Sequence, residues 1–281
     1  MNYIRRTYTF ILILLLSASQ LMAQKGNLFI IGGGSRSPEL IQSLLETSAL
    51  QPKDYIIVLP MATAEPEASF NSIKQQITAF STNNIGLLNF TPEQVNNKKW
   101  LDSLKGARLI YIVGGDQSRF MKAVLHTPVY AAIHEAYQNG ATVAGTSAGA
   151  AVMSKQMITG AQLQDSVYRE TFNKLWTKNI EFEEGMGLLD GVIIDQHFLR
   201  RSRYNRLLSA LAAYPEYECI GIDEGTAIIV HQKNVNVAGV SQVLRISKPK
   251  NLKVTSKNLI KLDGLDFHLY TDGDQFKLKN Q

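Results

Sequence analysis

The chain has 281 residues, of which 45% are hydrophobic and 19% charged, and it carries a single cysteine. Such a length and apolar content allow a sizeable buried core and exclude a disordered chain, while one cysteine excludes an internal disulfide framework. The formal charge of +5 falls by two to +3 if Arg5 and Arg6 are removed, too mild to imply a nucleic-acid partner.

Arg5-Arg6 precede the apolar stretch Phe10 to Leu16, and Leu21-Met22-Ala23 before Gln24 suits a signal-peptidase site. Residues 1–23 are therefore read as a signal peptide, and residues 24–281 as one α/β domain exported to the periplasm or the extracellular space. Cleavage nearer Ser19, or retention of the uncharged stretch Thr7 to Ala23 as a membrane anchor, are the alternatives.

Asn27 to Ile31 reads as a strand ending in Gly32-Gly33-Gly34-Ser35, with Pro38-Glu39 suited to the first turn of a helix. The glycines do not complete a dinucleotide fingerprint, because Ser37 stands where its third glycine belongs. Tyr55 to Pro60 is the next strand and Glu67 to Phe80 the next helix, followed by strand Ile85 to Leu88 and a helical segment from Pro92 to Lys105. Arg108 to Val113 forms a strand that ends in Gly114-Gly115-Asp116-Gln117, with a helix from about Ser118 through Leu125. A helix from Val129 to Asn139 leads into the strand Ala141 to Ala144. This alternation predicts a mostly parallel sheet with helices on both faces.

Gly145-Thr146-Ser147-Ala148-Gly149 follows directly, and its small residues permit a sharp strand-to-helix turn that exposes a serine hydroxyl. A tightly packed small-residue turn would look the same, so the motif needs partners. Two occur downstream, in Asp195-Gln196-His197-Phe198 and Asp223-Glu224-Gly225-Thr226. A serine needs an imidazole to take its proton, and the imidazole needs a carboxylate to hold its tautomer. Ser147, His197 and Glu224 supply those groups, and each follows a short apolar run, so each is expected at the carboxyl end of a strand, where open α/β sheets place their ligands.

Gln156 to Glu184 is expected to be a loop with a short helix over the site. Leu199 to Leu207 contains Arg200, Arg201, Arg203 and Arg206; if helical, Arg203 and Arg206 share a face, with Arg200 adjoining and Arg201 to one side. So many guanidiniums in one place call for an anionic ligand or a ring of carboxylates, a basic solvated helix being the alternative. From Val235 onward short strands, among them Asn234 to Ile246 and Phe267 to Tyr270, suggest an antiparallel edge or lid. Cys219, inside an apolar run, is read as buried rather than nucleophilic, and Lys248, Lys250, Lys253, Lys257 and Lys261 as a solvated strand face. His126, His134, His231 and His268 form no clear metal-ligand cluster and are read as structural.

Together, Gly32-Gly33-Gly34, Gly114-Gly115-Asp116-Gln117, Gly145 to Ala150, the Asp195 to Arg206 block and Asp223 to Ala227 resemble the cyanophycinase branch of the serine peptidase family that includes peptidase E. The resemblance spans about Asn27 to Ser241. It implies a class I glutamine amidotransferase-like α/β fold, a flavodoxin-like three-layer sandwich with antiparallel C-terminal strands, assembled as a homodimer. It also implies a Ser147-His197-Glu224 triad, an oxyanion hole at Gly115 and Ala148, and substrate contacts from Gln117, Asp195, Gln196, Arg201, Arg203 and Arg206, with no metal or cofactor. The implied reaction is hydrolysis of a β-aspartyl amide through an acyl-enzyme, above all in cyanophycin, a poly-aspartate backbone bearing arginine side groups that yields β-Asp-Arg. An α- or isoaspartyl dipeptidase and a non-catalytic peptide-binding relative are the alternatives. The Ser, His, acid order argues against an esterase of the α/β-hydrolase type.

Overall fold

The computed structural model describes residues 25–164, 169 and 171–279. The expected signal peptide, residues 1–23, lies outside them. In chain order the first half runs β1 (Asn27–Ile31), α1 (Pro38–Ser48), β2 (Tyr55–Leu59), α2 (Pro66–Thr78), β3 (Asn84–Leu87), α3 (Lys98–Lys105), β4 (Leu109–Ile112), α4 (Gln117–Val124), α5 (Pro128–Gln138), β5 (Thr142–Thr146) and α6 (Ala148–Ala151). The second half runs β6 (Gln156–Gln162), β7 (Ile180–Glu184), β8 (Val192–Gln196), α7 (Tyr204–Ala213), β9 (Glu218–Ile222), β10 (Thr226–His231), β11 (Asn234–Gly239), β12 (Val243–Lys250), β13 (Lys253–Val254), β14 (Ile260–Lys261), β15 (Gly264–Tyr270) and β16 (Gln275–Lys277).

The central sheet has eight strands in the order β16-β11-β10-β1-β5-β4-β2-β3. Its β1, β5, β4, β2 and β3 are parallel, and β10, β11 and β16 extend it antiparallel from β1. The inner parallel strands β4 and β5 are buried throughout, as their continuous apolar runs require when both faces are covered. A second sheet of four strands, β15-β12-β9-β8, carries β8 and β9 in parallel, with β12 and β15 antiparallel. Thus the strands leading to His197 and Glu224 belong to a different sheet from the strand leading to Ser147. Two cores result: the larger surrounds β1, β2, β4 and β5 and takes in one face of the second sheet through Val192, Ile194, Ile220 and Ile222, and the smaller packs Leu207, Ala210 and Leu211 of α7 against Ile193, Cys219, Leu244 and Ile246 on its other face.

Local chemistry sets the helix starts. Ser37 accepts from the Leu40 N–H at 3.2 Å and Pro38 occupies the first turn of α1, while Asp116 accepts from the Arg119 N–H at 2.9 Å at the start of α4. Asn97 does the same for α3 through the Trp100 N–H, and so shortens the helical segment expected from Pro92: residues 92–96 form turns.

Two further expectations change. Among the described residues of 156–184, expected to be a loop with a short helix, β6 and β7 instead pair as an antiparallel ribbon, because Ile158, Ile180 and Phe172 supply an apolar side that packs into the smaller core. Asn234 to Ile246 is broken at residues 240–242 into β11 and β12, which join different sheets; of the expected antiparallel edge or lid, the strands form the edge.

Candidate active site

Three consecutive carbonyls at the exit of β1 hold the site together. Ile31 O accepts from Ser147 N–H at 3.1 Å, Gly32 O from His197 N–H at 2.7 Å, and Gly33 O from Gly225 N–H at 2.9 Å. One turn therefore fastens the segments bearing Ser147, His197 and Glu224, although they leave two different sheets. Its glycines are needed for closeness rather than for phosphate binding: a Cβ at Gly33 would lie 2.4 Å from the His197 ring, and one at Gly34 2.7 Å from the Glu224 Cβ.

Ser147 Oγ lies 2.8 Å from His197 Nε2, and His197 Nδ1 lies 2.6 Å from Glu224 Oε1. With Nδ1 protonated and donating to the carboxylate, Nε2 is left to accept from the serine hydroxyl. Ser147 sits between β5 and α6 at φ 54°, ψ −111°, and His197 at φ 49°. Left-handed backbone at a non-glycine residue costs about 1–3 kcal/mol, and both residues of the Ser-His pair carry it. The elbow is tight as well: a Cβ at Gly145 would meet the Gly149 carbonyl oxygen at 2.1 Å, and one at Gly149 the Ile112 carbonyl at 2.3 Å. Both flanking glycines of the motif are thus required by contact with backbone.

Burial lowers the His197 pKa below its ordinary 6.5; the Glu224 hydrogen bond opposes this, and the charges of Arg201 and Arg203 add to the lowering. The imidazole is consequently neutral at pH 7 and fit to accept a proton. The N–H groups of Gly115 and Ala148 donate to no carbonyl of the described residues, and both flank Ser147. Cys219 is fully buried, and burial pushes its thiol pKa up, away from a nucleophile's range.

Ser147 lies between two recesses. One, of about 300 Å³, is lined by Gly115, Gln117, Thr159, Gln196 and the three arginines Arg201, Arg203 and Arg206. The arginines do not share a helix face, since residues 198–203 form turns and only Arg206 lies within α7. Arg203 and Arg206 converge because Asp195, 1% exposed, holds them from beneath: its Oδ2 accepts from Arg206 Nε at 2.8 Å, its Oδ1 from Arg206 Nη2, and Arg203 Nη1 stands 3.6 Å away. Arg203 also donates to the Gln196 carbonyl at 2.5 Å and to its side-chain oxygen. Asp195 thus faces the arginines rather than the cleft. Gln117 donates through Nε2 to the carbonyls of Ile158, at 2.9 Å, and Thr159, so it ties α4 to the β6 ribbon beside the recess.

The other recess, of about 440 Å³, is lined by Gly33, Gly34, Arg36, Ser69, Ser72, Tyr111, Gly114, Thr146 and His197. Arg36, Tyr111 and Thr146 are site residues that the sequence reading passed over. The only signal was an arginine directly after the glycine turn and a tyrosine inside an otherwise aliphatic strand. Of the histidines expected to be structural, His134 donates to the Met186 carbonyl at 2.7 Å and His231 to Asn27 Oδ1 at 2.8 Å. Among the described residues no group of three or more His, Cys, Asp or Glu side chains is placed to hold a metal ion.

The fold is similar to that of a peptidase from an acI-B1 Actinobacterium, with a TM-score of 0.68 and 22% identity, covering 92% of this chain and 98% of that one. A cyanophycinase from Trichormus variabilis is 30% identical over 268 residues, covering 91% of this chain and 87% of the relative. One from Geminocystis herdmanii is 30% identical over 232 residues, covering 80% and 82%. The model of peptidase family S51 matches residues 28–238, which take in the β1 turn, the serine elbow and the strands that end at His197 and Glu224. The chain therefore belongs to peptidase family S51, the serine-type peptidases that include its cyanophycinase relatives.

Proposed function

We propose that the chain is an exported serine peptidase that uses Ser147, His197 and Glu224 to cut aspartyl amide bonds in cyanophycin or a closely similar polymer. The single observation that carries this is the hydrogen-bonded relay from Ser147 to Glu224, set between two recesses that each carry guanidinium charge. His197 takes the serine proton as Oγ attacks the carbonyl, and Glu224 stabilises the resulting imidazolium. The Gly115 and Ala148 N–H groups receive the oxyanion, each donor contributing about 3 kcal/mol to the transition state in comparable sites. His197 then protonates the leaving amine, and water, deprotonated by the same imidazole, releases the acyl group.

The expected product decides which bond breaks. β-Asp-Arg keeps the amide between the aspartate β-carboxyl and arginine, so its release from a poly-aspartate backbone requires cleavage of α-amides between neighbouring aspartates. The scissile carbonyl is therefore a main-chain one, in place of the β-aspartyl carbonyl expected from the sequence. Each unit of such a polymer carries a free arginine carboxylate, and the recess of Arg201, Arg203 and Arg206 is suited to receive it.

The test is incubation of the purified mature protein, beside Ser147→Ala, with insoluble cyanophycin, reading β-Asp-Arg by mass spectrometry. Release by the wild type alone supports nucleophile and substrate together. Turnover only of small α- or isoaspartyl dipeptides moves the reading to a dipeptidase, and binding without turnover of any aspartyl peptide moves it to a peptide-binding relative.

A further inference from the structure

We propose that Arg36, Tyr111 and Thr146 form a carboxylate-binding subsite on the leaving-group side of Ser147. The assignment rests on the peptidase reading above and adds to it the side of the scissile bond that the other arginines do not reach.

The starting observation is a pair of buried hydroxyls on one recess wall that stand near each other and Arg36 without being fully satisfied by them. Tyr111 is 1% exposed and Thr146 6% exposed, and both line the larger recess; the Tyr111 hydroxyl lies within interaction reach of Thr146 and Arg36, yet neither hydroxyl makes a hydrogen bond of full geometry. Buried polar groups in native proteins are nearly always fully satisfied, so two hydroxyls with incomplete hydrogen bonding on one recess wall suit a ligand that accepts from them. Their chemistry narrows the class. Burial raises the Tyr111 pKa, which keeps the phenol protonated and able to donate, while the nearby Arg36 charge works in the opposite direction. The Arg36 guanidinium donates through Nε to Gln76 Oε1 at 2.8 Å and pairs with no carboxylate of the described residues. Two hydroxyl donors beside a guanidinium match a carboxylate, and Ser69 and Ser72 of α2 line the same recess.

The side of the bond follows from His197. The imidazole that protonates the leaving amine must lie next to it, and His197 lines the Arg36 recess but not the recess of Arg201, Arg203 and Arg206. The acyl residue thus occupies the arginine-rich recess through Gly115, and the leaving residue the recess of Arg36 and Tyr111. Peptides that carry a carboxylate on the residue after the cut are favoured, and Arg36 with Tyr111 reads that carboxylate.

The experiment compares two probes, an aspartyl-aspartate peptide with free carboxylates on its leaving residue and the same peptide with those carboxylates amidated. Each is given to the full mature enzyme and to its Arg36→Met, Tyr111→Phe and Thr146→Val variants. Loss of a charge-assisted contact raises KM for the carboxylate probe on the order of tenfold in Arg36→Met and several-fold in Tyr111→Phe, with kcat changed less and the amidated probe unaffected. Equal losses on both probes, or none on either, overturn the subsite. Tyr111→Phe and Thr146→Val each remove one hydroxyl and keep the shape of the side chain, so a misfolded Arg36→Met does not blunt the test. If the wild type cleaves neither probe, the peptidase reading has failed on its own account. Calorimetric binding of the carboxylate probe to Ser147→Ala with and without Arg36→Met then decides the subsite, and an unchanged Kd overturns it.

Discussion

Asp195→Asn isolates what the buried carboxylate does for the arginine recess. Asparagine keeps the shape and can still accept from the Gln196 N–H, now at 2.8 Å from Asp195 Oδ1, but it removes the charge. The Asp195 side chain is fully enclosed, and the two guanidiniums it faces, on Arg203 and Arg206, are 5% and 8% exposed. Breaking a buried pair by removing one partner costs about 3–5 kcal/mol, because the remaining charge stays desolvated. For a domain of this size that lowers the melting temperature on the order of 10 °C. Thermal unfolding followed by circular dichroism reads the loss, and steady-state kinetics should show a raised KM as the guanidiniums turn toward solvent. Adding Arg206→Met to Asp195→Asn should recover part of the lost stability, since one of the two guanidiniums that Asp195 offsets is then gone. A melting temperature within about 2 °C of wild type, less than a 1 kcal/mol change produces, would refute the claim that Asp195 holds the recess from beneath.

Three other outcomes follow from the site geometry. Glu224→Gln should leave the fold intact and lower kcat about 10³- to 10⁴-fold by removing the charge that fixes the His197 tautomer; a loss below tenfold in single-turnover assays would count against its orienting role. The acid limb of kcat/KM should lie below pH 6.5, because the base must be neutral and burial lowers the His197 pKa. Arg201→Gln removes a charge that lowers that pKa, so the limb should move to higher pH, and a limb that stays or moves down contradicts the electrostatic account. Gly33→Ala places a methyl 2.4 Å from the His197 ring at φ +112°, so activity should fall far more than secondary structure does, a split visible by comparing kcat/KM with far-ultraviolet circular dichroism.

Much of the parallel sheet and the serine elbow were legible because both depend on contiguous residues. Apolar runs such as Leu109–Ile112, and the punctuation by Gly, Pro and helix-capping side chains, act within a few positions of one another. Gly145-Thr146-Ser147-Ala148-Gly149 is legible for the same reason: a sharp turn needs small residues at set offsets. The ribbon of β6 and β7 was not, because its apolar face is set by packing against α7 and not by its own pattern.

What the sequence determined by itself was the kind of chemistry: a serine, a histidine and a glutamate, each at the end of an apolar strand, with arginines close behind. Only the tertiary structure decided how they meet. Two separate sheets deliver Ser147 on one side and His197 and Glu224 on the other, and three carbonyls after β1 bind the segments together. That is why Gly32, Gly33 and Gly34 look like a ligand-binding loop in one dimension and prove to be a contact surface in three. The same holds for the charges. Four neighbouring arginines announce an anion, but burial of Asp195 turns two of them into a fixed wall, and a tyrosine from β4 meets an arginine from the β1 turn to form the opposite recess. Helix caps and turns are set by neighbours in sequence, whereas desolvation and long-range contact are set by neighbours in space, and a single sequence records the second only as composition.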